Sequence, residues 1–496
     1  MDGNEGLIKH LKKMNSKQLE ELCRGGRLNT EDLISALAEV YGENRKELVS
    51  KIREVERFSV RKEAIKTIGI FYYKMAQGGV QRVISLLLPM YLKMGYQVVL
   101  FTDEQDLEKE YSIPEQVVRV LLPAAMTTEF GNYKVRAKAM GEAIEKYHID
   151  VMLYHAAECR MLVYDMLLVK AYGVPFCVTV HGLFSAEMLR QSYFIDEKLV
   201  TFQMVDCLIV LSKMEETFWR TFGVKAVYIP NPIQELPYSD SDGEYILWLG
   251  RFETTQKQYL QAMEIMQRVV KVLPDAKLKM VGSEVTKGAK ATLRKRVKKL
   301  HLEKNVEVCD FTLNVAEYYK NAKIFLVTSS WEAFPMTIVE SKGYGIPLVT
   351  YDMPYLEVLK SGEGYVNVPQ DDIEGAAEAI VKLWTDSRLR ESMKREARHS
   401  YEMLQNTDLQ EAWKSVLDDV LRSKSELIKC NKEDIYMKQV LSTMLSHYKK
   451  GCEQNGVQSD YPIVRVFAKL SRMYIVLREN GLSATWQIIK TKMGSK

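Results

Sequence analysis

The chain has 496 residues, 47% of them hydrophobic, and its 69 basic and 65 acidic residues leave a net charge of only +4. This length corresponds to two or three domains with large cores, and the balanced charge argues against a nucleic-acid binder that relies on bulk charge. Seven scattered cysteines without a CxxC pair indicate reduced thiols in a cytosolic protein, and they argue against a zinc site or a disulfide framework.

Neither a secretory nor a membrane-spanning segment is expected. The N-terminal sequence MDGNEGLIKHLKKMNSKQ lacks the apolar core of a signal peptide. The longest apolar stretch, VISLLLPMYL at 83–92, is about half of the ~20 residues that a spanning helix needs. The sequence therefore predicts a cytoplasmic protein, with peripheral attachment at the inner face of the cytoplasmic membrane as an alternative.

Two α/β domains are predicted, the first over residues 66–240. Residues 1–65 are polar and helical in pattern and are interpreted as an N-terminal extension. From Thr67 the sequence changes to apolar runs separated by helical segments: TIGIFYY, YQVVLFTD, DVMLYH, PFCVTVHG, DCLIVLS and AVYIPNP. Continuous apolar runs of this kind are typical of parallel strands covered by helices on both faces.

A polar, turn-rich linker, IQELPYSDSDGE at 233–244, leads to the second domain, predicted over 241–400. Its apolar runs are YILWLG, AKLKMVG, VEVCD, KIFLVTSS and PLVTYD, and its helices include QYLQAMEIMQRVVKVL and DDIEGAAEAIVKLWTD. A helix over 401–423 is predicted to cross back to the first domain. Residues 424–496 are predicted to form a helical C-terminal extension.

Candidate ligand-binding residues follow the strands of the first domain, because open parallel sheets bind ligands at the carboxyl ends of their strands. Gly78 and Gly79 lie between the first strand and a helix, where backbone amides could approach a phosphate without a Cβ in the way. The alternative for this pair is an ordinary strand-to-helix turn. His181 ends the strand CVTVH, a position suited to a ligand, although a single histidine is more often structural.

The second domain carries a stronger pattern. Arg251 lies just beyond YILWLG and Lys257 follows six residues later, so one loop supplies a bidentate and a flexible cation, which suits a diphosphate. A solvated loop with incidental charges is the alternative. In WEAFPMTIVE, Glu332 and Glu340 flank Pro335, which fits the first position of a helix. A helix N-terminus there would hold phosphate, and the two carboxylates would accept hydrogen bonds from hydroxyls of a sugar and a ribose.

The motifs GGVQR, VHG, IPNP, LGRF with a downstream lysine, EAFPMTIVE and GIPLV resemble the retaining glycosyltransferase family 4, over about residues 66–423. The resemblance implies the GT-B fold, with two Rossmann-like doubly wound domains facing a cleft. It also implies that Glu340 binds the nucleotide ribose, that Glu332 binds the donor-sugar hydroxyls and that His181 contacts the sugar. The implied diphosphate contacts are Arg251, Lys257, Gly79 with its neighbour Gly78, and the backbone around Phe334, Pro335 and Met336. Family members commonly place the lysine five residues after the arginine, one fewer than here.

The activity implied by the resemblance is retaining transfer of a sugar from a nucleotide-sugar, a UDP-sugar foremost, to an acceptor hydroxyl in cell-surface polysaccharide or glycoconjugate synthesis. No metal and no cofactor besides the nucleotide-sugar is expected. The motif Asp240-Ser241-Asp242 looks like a metal-binding DxD motif but lies in the linker, which favours a turn. No side chain is an unambiguous nucleophile, so front-face transfer is expected, as is proposed for the family.

The acceptor side is less defined. His155 and Glu158, in LYHAAE, are candidate acceptor contacts, with a structural role as the alternative. A saccharide or lipid-linked saccharide acceptor is suggested by the family. The basic segment ATLRKRVKKL and the C-terminal stretch YPIVRVFAKLSRMYIVLRENG could rest on anionic lipid, or they could be a solvated face and a packed or subunit-pairing segment.

Three other protein classes fit the sequence less well. A non-catalytic GT-B protein that binds a nucleotide-sugar or supports a partner transferase is expected to lack Arg251, Glu332 or Glu340, and all three are present. A dinucleotide-dependent oxidoreductase would need GxGxxG after the first strand, and YYKMAQGGVQRV lacks that spacing. A phosphorylase-like enzyme would need a pyridoxal lysine, for which the sequence offers no candidate.

Overall fold

The computed structural model describes residues 64–422, except positions 77, 107, 124–129, 160, 185–200, 204, 240, 286–287, 313 and 361–363. The predicted C-terminal extension and all but the last two residues of the predicted N-terminal extension lie outside the described residues. Within the described part of the chain, no helix is both long and apolar enough to cross a bilayer.

The first sheet has seven strands in the order β3-β2-β1-β4-β5-β6-β7, and all its pairings are parallel. Its interior strand β1 is buried at every position, which explains why its sequence does not alternate between apolar and polar residues. The strands are β1 (Thr67–Phe71), β2 (Gln97–Thr102), β3 (Val118–Leu121), β4 (Val151–Tyr154), β5 (Phe176–Thr179), β6 (Cys207–Val210) and β7 (Ala226–Tyr228). The helices between them are α1 (Gly79–Lys93), α2 (Phe130–Lys146), α3 (Leu162–Ala171) and α4 (Lys213–Thr221).

The second sheet has six parallel strands in the order β10-β9-β8-β11-β12-β13. Its strands are β8 (Tyr245–Leu249), β9 (Leu278–Val281), β10 (Val306–Cys309), β11 (Ala322–Val327), β12 (Leu348–Tyr351) and β13 (Tyr365–Val368). Its helices are α5 (Tyr259–Val272), α6 (Ala289–Lys299), α7 (Ala316–Lys320), α8 (Met336–Gly343), α9 (Glu357–Lys360), α10 (Ile373–Thr385) and α11 (Ser387–Gln405). Two doubly wound parallel sheets confirm the predicted α/β fold class.

The last described helix, α12 (Leu409–Arg422), packs on the first sheet although it follows the second one in the chain. Its buried residues Trp413, Val416, Leu417 and Val420 belong to the same hydrophobic cluster as Ile68 of β1. The Trp413 ring also meets the Tyr91 ring of α1 edge to face, with 5.5 Å between the ring centroids. The chain therefore passes between the two sheets twice.

The linker is held against the second sheet by charged contacts. Asp242 accepts hydrogen bonds from Lys323 and Arg390, each at 2.8 Å. Burial raises the pKa of this carboxyl, but the bonds from Lys323 and Arg390 outweigh burial and leave the pKa below its usual value. Asp242 therefore serves as a structural anchor, whereas Asp240 lies outside the described residues.

Helix α8 carries a lysine with an unusual environment. The Lys342 side chain is fully buried, and its Nζ donates to the Val358 carbonyl and the Ser400 hydroxyl, both at 2.7 Å. Burial disfavours the charged ammonium and lowers the pKa of Lys342 from 10.5 to about 7. Between these two values the unfolded chain binds more protons than the folded chain, so this lysine makes stability rise with pH.

Replacing Lys342 with methionine is expected to flatten this pH dependence. Between pH 7.5 and 9 the free energy of unfolding of the wild type should gain up to about 1.4 kcal/mol per pH unit from Lys342, a gain that Lys342→Met lacks. Urea unfolding over this pH range measures the difference between the two slopes. Lys320→Met, at a lysine whose side chain is 50% exposed, is the control. Equal slopes for the wild type and Lys342→Met would contradict the prediction.

Candidate active site

The predicted site residues lie on the loops and the first helical turns that follow the carboxyl ends of strands in both sheets. Such loops share one edge of a parallel sheet, which is where ligands bind in open α/β folds. Gly78 and Gly79 follow β1, His155 and Glu158 follow β4, His181 follows β5, Arg251 and Lys257 follow β8, and Glu332, Phe334, Pro335, Met336 and Glu340 follow β11.

The loop after β8 is folded around one carboxylate. Glu253 accepts hydrogen bonds from the backbone N–H groups of Thr255 and Gln256, both at 2.7 Å, and of Lys257 at 3.2 Å. Burial raises the pKa of Glu253, but the amide donors outweigh burial and hold the pKa below its usual value. The loop is thus a fixed turn that sets the direction of the Lys257 side chain.

Buried hydrogen bonds join this loop to the end of β11. The Trp248 indole donates to the Thr328 hydroxyl at 2.9 Å, and that hydroxyl donates to the Lys257 carbonyl at 2.7 Å. The Ser330 backbone N–H donates to the Gln256 carbonyl at 2.8 Å. These contacts fix the cationic loop relative to the segment that carries Glu332.

Two residues predicted from separate motifs are in direct contact. Lys257 Nζ forms an ion pair with Glu332 Oε1, and the two side chains are only 14% and 8% exposed. The Glu332 backbone N–H donates to the Tyr355 hydroxyl at 3.1 Å. The loop that is one residue longer than usual therefore still brings its lysine to the carboxylate. Arg251 is exposed, and its Nη2 donates to Gln256 Oε1 at 2.8 Å.

Glu340 of α8 interacts with a tyrosine of the second domain and with the charge of an arginine of the first. It accepts a hydrogen bond from the Tyr319 hydroxyl at 3.0 Å. Burial raises the pKa of Glu340, opposed by this hydrogen bond and by the charge of Arg82. Arg82 belongs to α1 of the first sheet, and its Nη2 donates to Gln234 Oε1 of the linker at 2.6 Å. No role was predicted for Arg82, although it lies in the GGVQR motif.

A tyrosine that the sequence analysis missed lies beside the two glycines. The Arg82 guanidinium carbon is 5.6 Å from the centroid of the Tyr111 ring. Burial raises the pKa of the Tyr111 phenol, while Arg82 and a hydrogen bond with the Gly78 backbone lower it. No motif marks Tyr111 in the sequence. Gly79 is exposed, and a Cβ added to it would meet no atom within 4 Å.

Helix α8 begins one residue later than expected. Pro335 has φ −75° and ψ 97°, so it is the N-cap residue rather than the first helical residue, and the helix starts at Met336. Phe334 is buried in the core of the second sheet, whereas the Met336 side chain packs on the cores of both sheets. The first amides of α8 lack intrahelical acceptors and form the positive end of the helix dipole. They are suited to holding an anion next to Glu332.

The two candidate histidines form a pair. His155 Nδ1 and His181 Nε2 are 2.9 Å apart, and the rings stack with 5.2 Å between their centroids. Burial lowers the pKa of His181 to about 3 and the pKa of His155 well below its usual value, so both rings are neutral near pH 7. His155 is only 2% exposed and lies behind His181, whereas Glu158 is exposed. His155 can therefore act on a ligand only through its neighbour.

No group of three or more His, Cys, Asp or Glu side chains in the described part of the chain is arranged to hold a metal ion. The four cysteines within it, Cys159, Cys177, Cys207 and Cys309, are free thiols.

The chain matches two families of known proteins over adjacent segments. The model of Glycosyltransferase Family 4 matches residues 77–235, and the model of Glycosyl transferases group 1 matches residues 235–400. The chain is 27% identical to the amylovoran biosynthesis glycosyltransferase AmsD of Erwinia amylovora over 182 residues, 34% of this chain and 50% of that protein. It is 25% identical to the poly(glycerol-phosphate) alpha-glucosyltransferase of Bacillus subtilis over 253 residues, 50% of this chain and 36% of that protein.

The chain thus spans half or less of the length of these two relatives. Among solved structures, a mutant of S. aureus TarM in complex with fondaparinux, alpha-GlcNAc-glycerol and UDP is similar with a TM-score of 0.59 at 11% identity, covering 72% of this chain and all of that chain. Anabaena HepE in complex with UDP and glucose is similar with a TM-score of 0.59 at 14% identity, covering 71% of this chain and 98% of that chain. Given the two adjacent family matches and two parallel-sheet domains, the chain belongs to the group 1, family 4-like glycosyltransferases with the GT-B fold.

Proposed function

We propose that this protein is a retaining glycosyltransferase that moves a sugar from a nucleotide-sugar to an acceptor hydroxyl in polysaccharide or glycoconjugate synthesis. The observation that supports it most is the Lys257–Glu332 ion pair, which lies beside Arg251 and at the N-terminus of α8. A cation, a carboxylate and a helix N-terminus in one place suit a donor made of a diphosphate and a sugar. A UDP-sugar is the first donor to test, because two similar solved structures contain UDP.

The chemical barrier is the charge that separates as the diphosphate leaves an oxocarbenium-like sugar. Arg251 and the first amides of α8 would stabilise the leaving diphosphate, each fixed donor contributing about 3 kcal/mol by analogy with oxyanion holes. Glu332 would accept hydrogen bonds from sugar hydroxyls, and Glu340 from the ribose. Because Glu332 Oε1 is already paired with Lys257, this carboxylate is better suited to accept hydrogen bonds than to attack carbon.

Front-face transfer then accounts for retention. The acceptor oxygen forms its bond to the anomeric carbon on the face from which the phosphate oxygen departs. The carbon–oxygen bond to the diphosphate breaks, and the acceptor proton passes to the departing phosphate oxygen. His181 would contact the donor sugar as a neutral ring, and the exposed Glu158 is the remaining candidate acceptor contact.

A lipid-linked saccharide is included in the proposal as an acceptor, with contact at a membrane surface. The exposed residues Arg294, Lys295, Lys298 and Lys299 of α6 form the basic face that would approach anionic lipid, whereas Arg296 is paired with Glu264 at 2.7 Å. No metal is assigned a role in this reaction.

Nucleotide release by the purified protein tests the proposal. UDP-, GDP- and ADP-sugars are supplied with and without crude lipid extract, each with and without excess chelator, and Glu332→Gln is the control. We expect release from one donor that persists in chelator and disappears in the variant, and NMR of the product should show a retained anomeric configuration. An inverted product would overturn retention. Donor binding without release from any donor would favour a non-catalytic nucleotide-sugar-binding protein.

Gly79→Ala tests the predicted phosphate approach. The added methyl group meets no protein atom within 4 Å, and alanine favours the helix that begins at this residue, so the melting temperature should not fall. If the phosphates of the donor approach this amide, the methyl group displaces them and the KM for the donor should rise at least about tenfold. An unchanged KM would remove Gly79 from the donor site.

A further inference from the structure

We propose that Gln256 is a positioning residue that couples Arg251 to Glu332. The proposal rests on the function proposed above, because it assigns these two residues to the leaving diphosphate and the donor sugar. Gln256 Oε1 accepts the hydrogen bond from Arg251 Nη2 at 2.8 Å. On the other side of the same amide, Nε2 donates to the Trp331 carbonyl at 3.1 Å and lies 3.4 Å from Glu332 Oε2.

The chemistry of its neighbours requires an amide at this position. The Arg251 guanidinium can only donate, whereas the Trp331 carbonyl and the ionised Glu332 carboxylate can only accept. A side chain between them must accept on one side and donate on the other. A glutamine does both with one rigid planar amide. Because Arg251 needs an acceptor and Trp331 needs a donor, these neighbours fix the orientation of that amide.

The backbone holds Gln256 so that its side chain can span this distance. Its N–H donates to the Glu253 carboxylate at 2.7 Å, and its carbonyl accepts from the Ser330 N–H at 2.8 Å. With Lys257 on Glu332 Oε1 and Gln256 near Oε2, both oxygens of the carboxylate are oriented before a substrate arrives. Groups that are oriented in advance do not have to reorganise during the reaction, and this lowers the activation free energy.

Two neighbouring side chains of the loop hold Glu332 and Arg251. Lys257 lies six residues after Arg251 and is paired with Glu332. Gln256, one residue earlier, makes the connection to Arg251 instead. Because Gln256 is not assigned to touch substrate, its effect on the reaction runs through its two neighbours.

Gln256→Glu gives the decisive test, because its effect should reverse with pH. An ionised glutamate would place a negative charge next to the Trp331 carbonyl and Glu332, and the three acceptors would repel one another. A protonated glutamic acid can accept from Arg251 and donate through its O–H, as the amide does. We expect the ratio of Gln256→Glu to wild-type kcat to rise at least about tenfold as the pH falls from 7.5 to 4.5, toward the ordinary pKa of a glutamic acid at about 4.3.

Gln256→Asn keeps the amide but is one methylene too short to reach both neighbours. We expect its kcat to fall about 10- to 100-fold with a smaller change in the KM for the donor. Gln258→Asn is the matched control, because it shortens a glutamine of the same loop whose amide donates to Asp371 at 3.2 Å. Melting temperatures of all variants show whether each one folds.

The outcomes separate this proposal from the proposed function. Suppose that the wild type turns over. If the ratio of Gln256→Glu to wild-type kcat is then independent of pH, or if Gln256→Asn is fully active, the positioning role is overturned and the proposed function stands. A wild type without turnover on any donor would overturn the function. In that case calorimetric binding of UDP over the same pH range decides, since a misoriented Arg251 should weaken binding in Gln256→Glu more at pH 7.5 than at pH 4.5.

Discussion

Arg251→Ala is expected to lower kcat about 10²- to 10³-fold while the protein remains folded. The loss corresponds to removing one fixed donor from the leaving diphosphate. Arg251 is exposed and its side chain donates a hydrogen bond to Gln256 at the surface, so little stability depends on it. Steady-state kinetics with the donor identified by nucleotide release, together with thermal melting, measure both effects.

Arg251→Lys is the matched variant, because it keeps the charge but loses the planar fork. We expect it to recover only part of the activity. Turnover of Arg251→Ala close to that of the wild type would remove this arginine from the reaction. A large drop in melting temperature would instead assign it a structural role.

Glu332→Gln is expected to have an effect of similar size, about 10²- to 10³-fold in kcat. The neutral amide is a weaker acceptor for sugar hydroxyls, and it leaves the Lys257 ammonium, which is only 14% exposed, without its counter-ion. In the wild type, Gln256 Nε2 donates toward Glu332 Oε2 at 3.4 Å. If the new amide nitrogen takes the place of Oε2, two N–H donors face each other. Kinetics and melting temperature are compared with Glu317→Gln, at an exposed carboxylate that pairs with Lys320.

A double-mutant cycle measures how strongly Lys257 and Glu332 act as a pair in the reaction. Residues that act as a pair give losses that do not add, so Lys257→Met combined with Glu332→Gln should cost less than the sum of the single losses. Additive losses in kcat would show that the ion pair between the two side chains does not matter for the reaction.

The buried strands were predictable because burial on both faces leaves a continuous apolar run. β1, β8 and β11 lie inside their sheets, and their sequences TIGIF, YILWL and AKIFLV show that pattern. β3 and β13 lie at sheet edges and are only partly buried, so their short sequences VRVL and YVNV carry no such run and were missed.

The site was predictable where a motif lies within one segment. Arg251 and Glu332 were singled out because each follows an apolar strand in a characteristic local sequence. The approach of Arg82 to Glu340 and the position of Tyr111 beside Gly78 were not predictable, because each joins elements that are distant in sequence. The position of His155 behind His181 has the same origin, since it depends on the pairing of β4 with β5.

The return of α12 to the first sheet has a consequence for how the protein folds during synthesis. The strands of the first sheet leave the ribosome early, but Trp413, Val416, Leu417 and Val420 complete their hydrophobic core. Helix α1 contributes to this core early, but the part that α12 contributes is missing until the second sheet has also been made. The first α/β domain is therefore translated before the second, but its hydrophobic core is completed only after the second has been translated. Chain termination before residue 409 would leave the first domain with an uncovered apolar surface that is prone to aggregation.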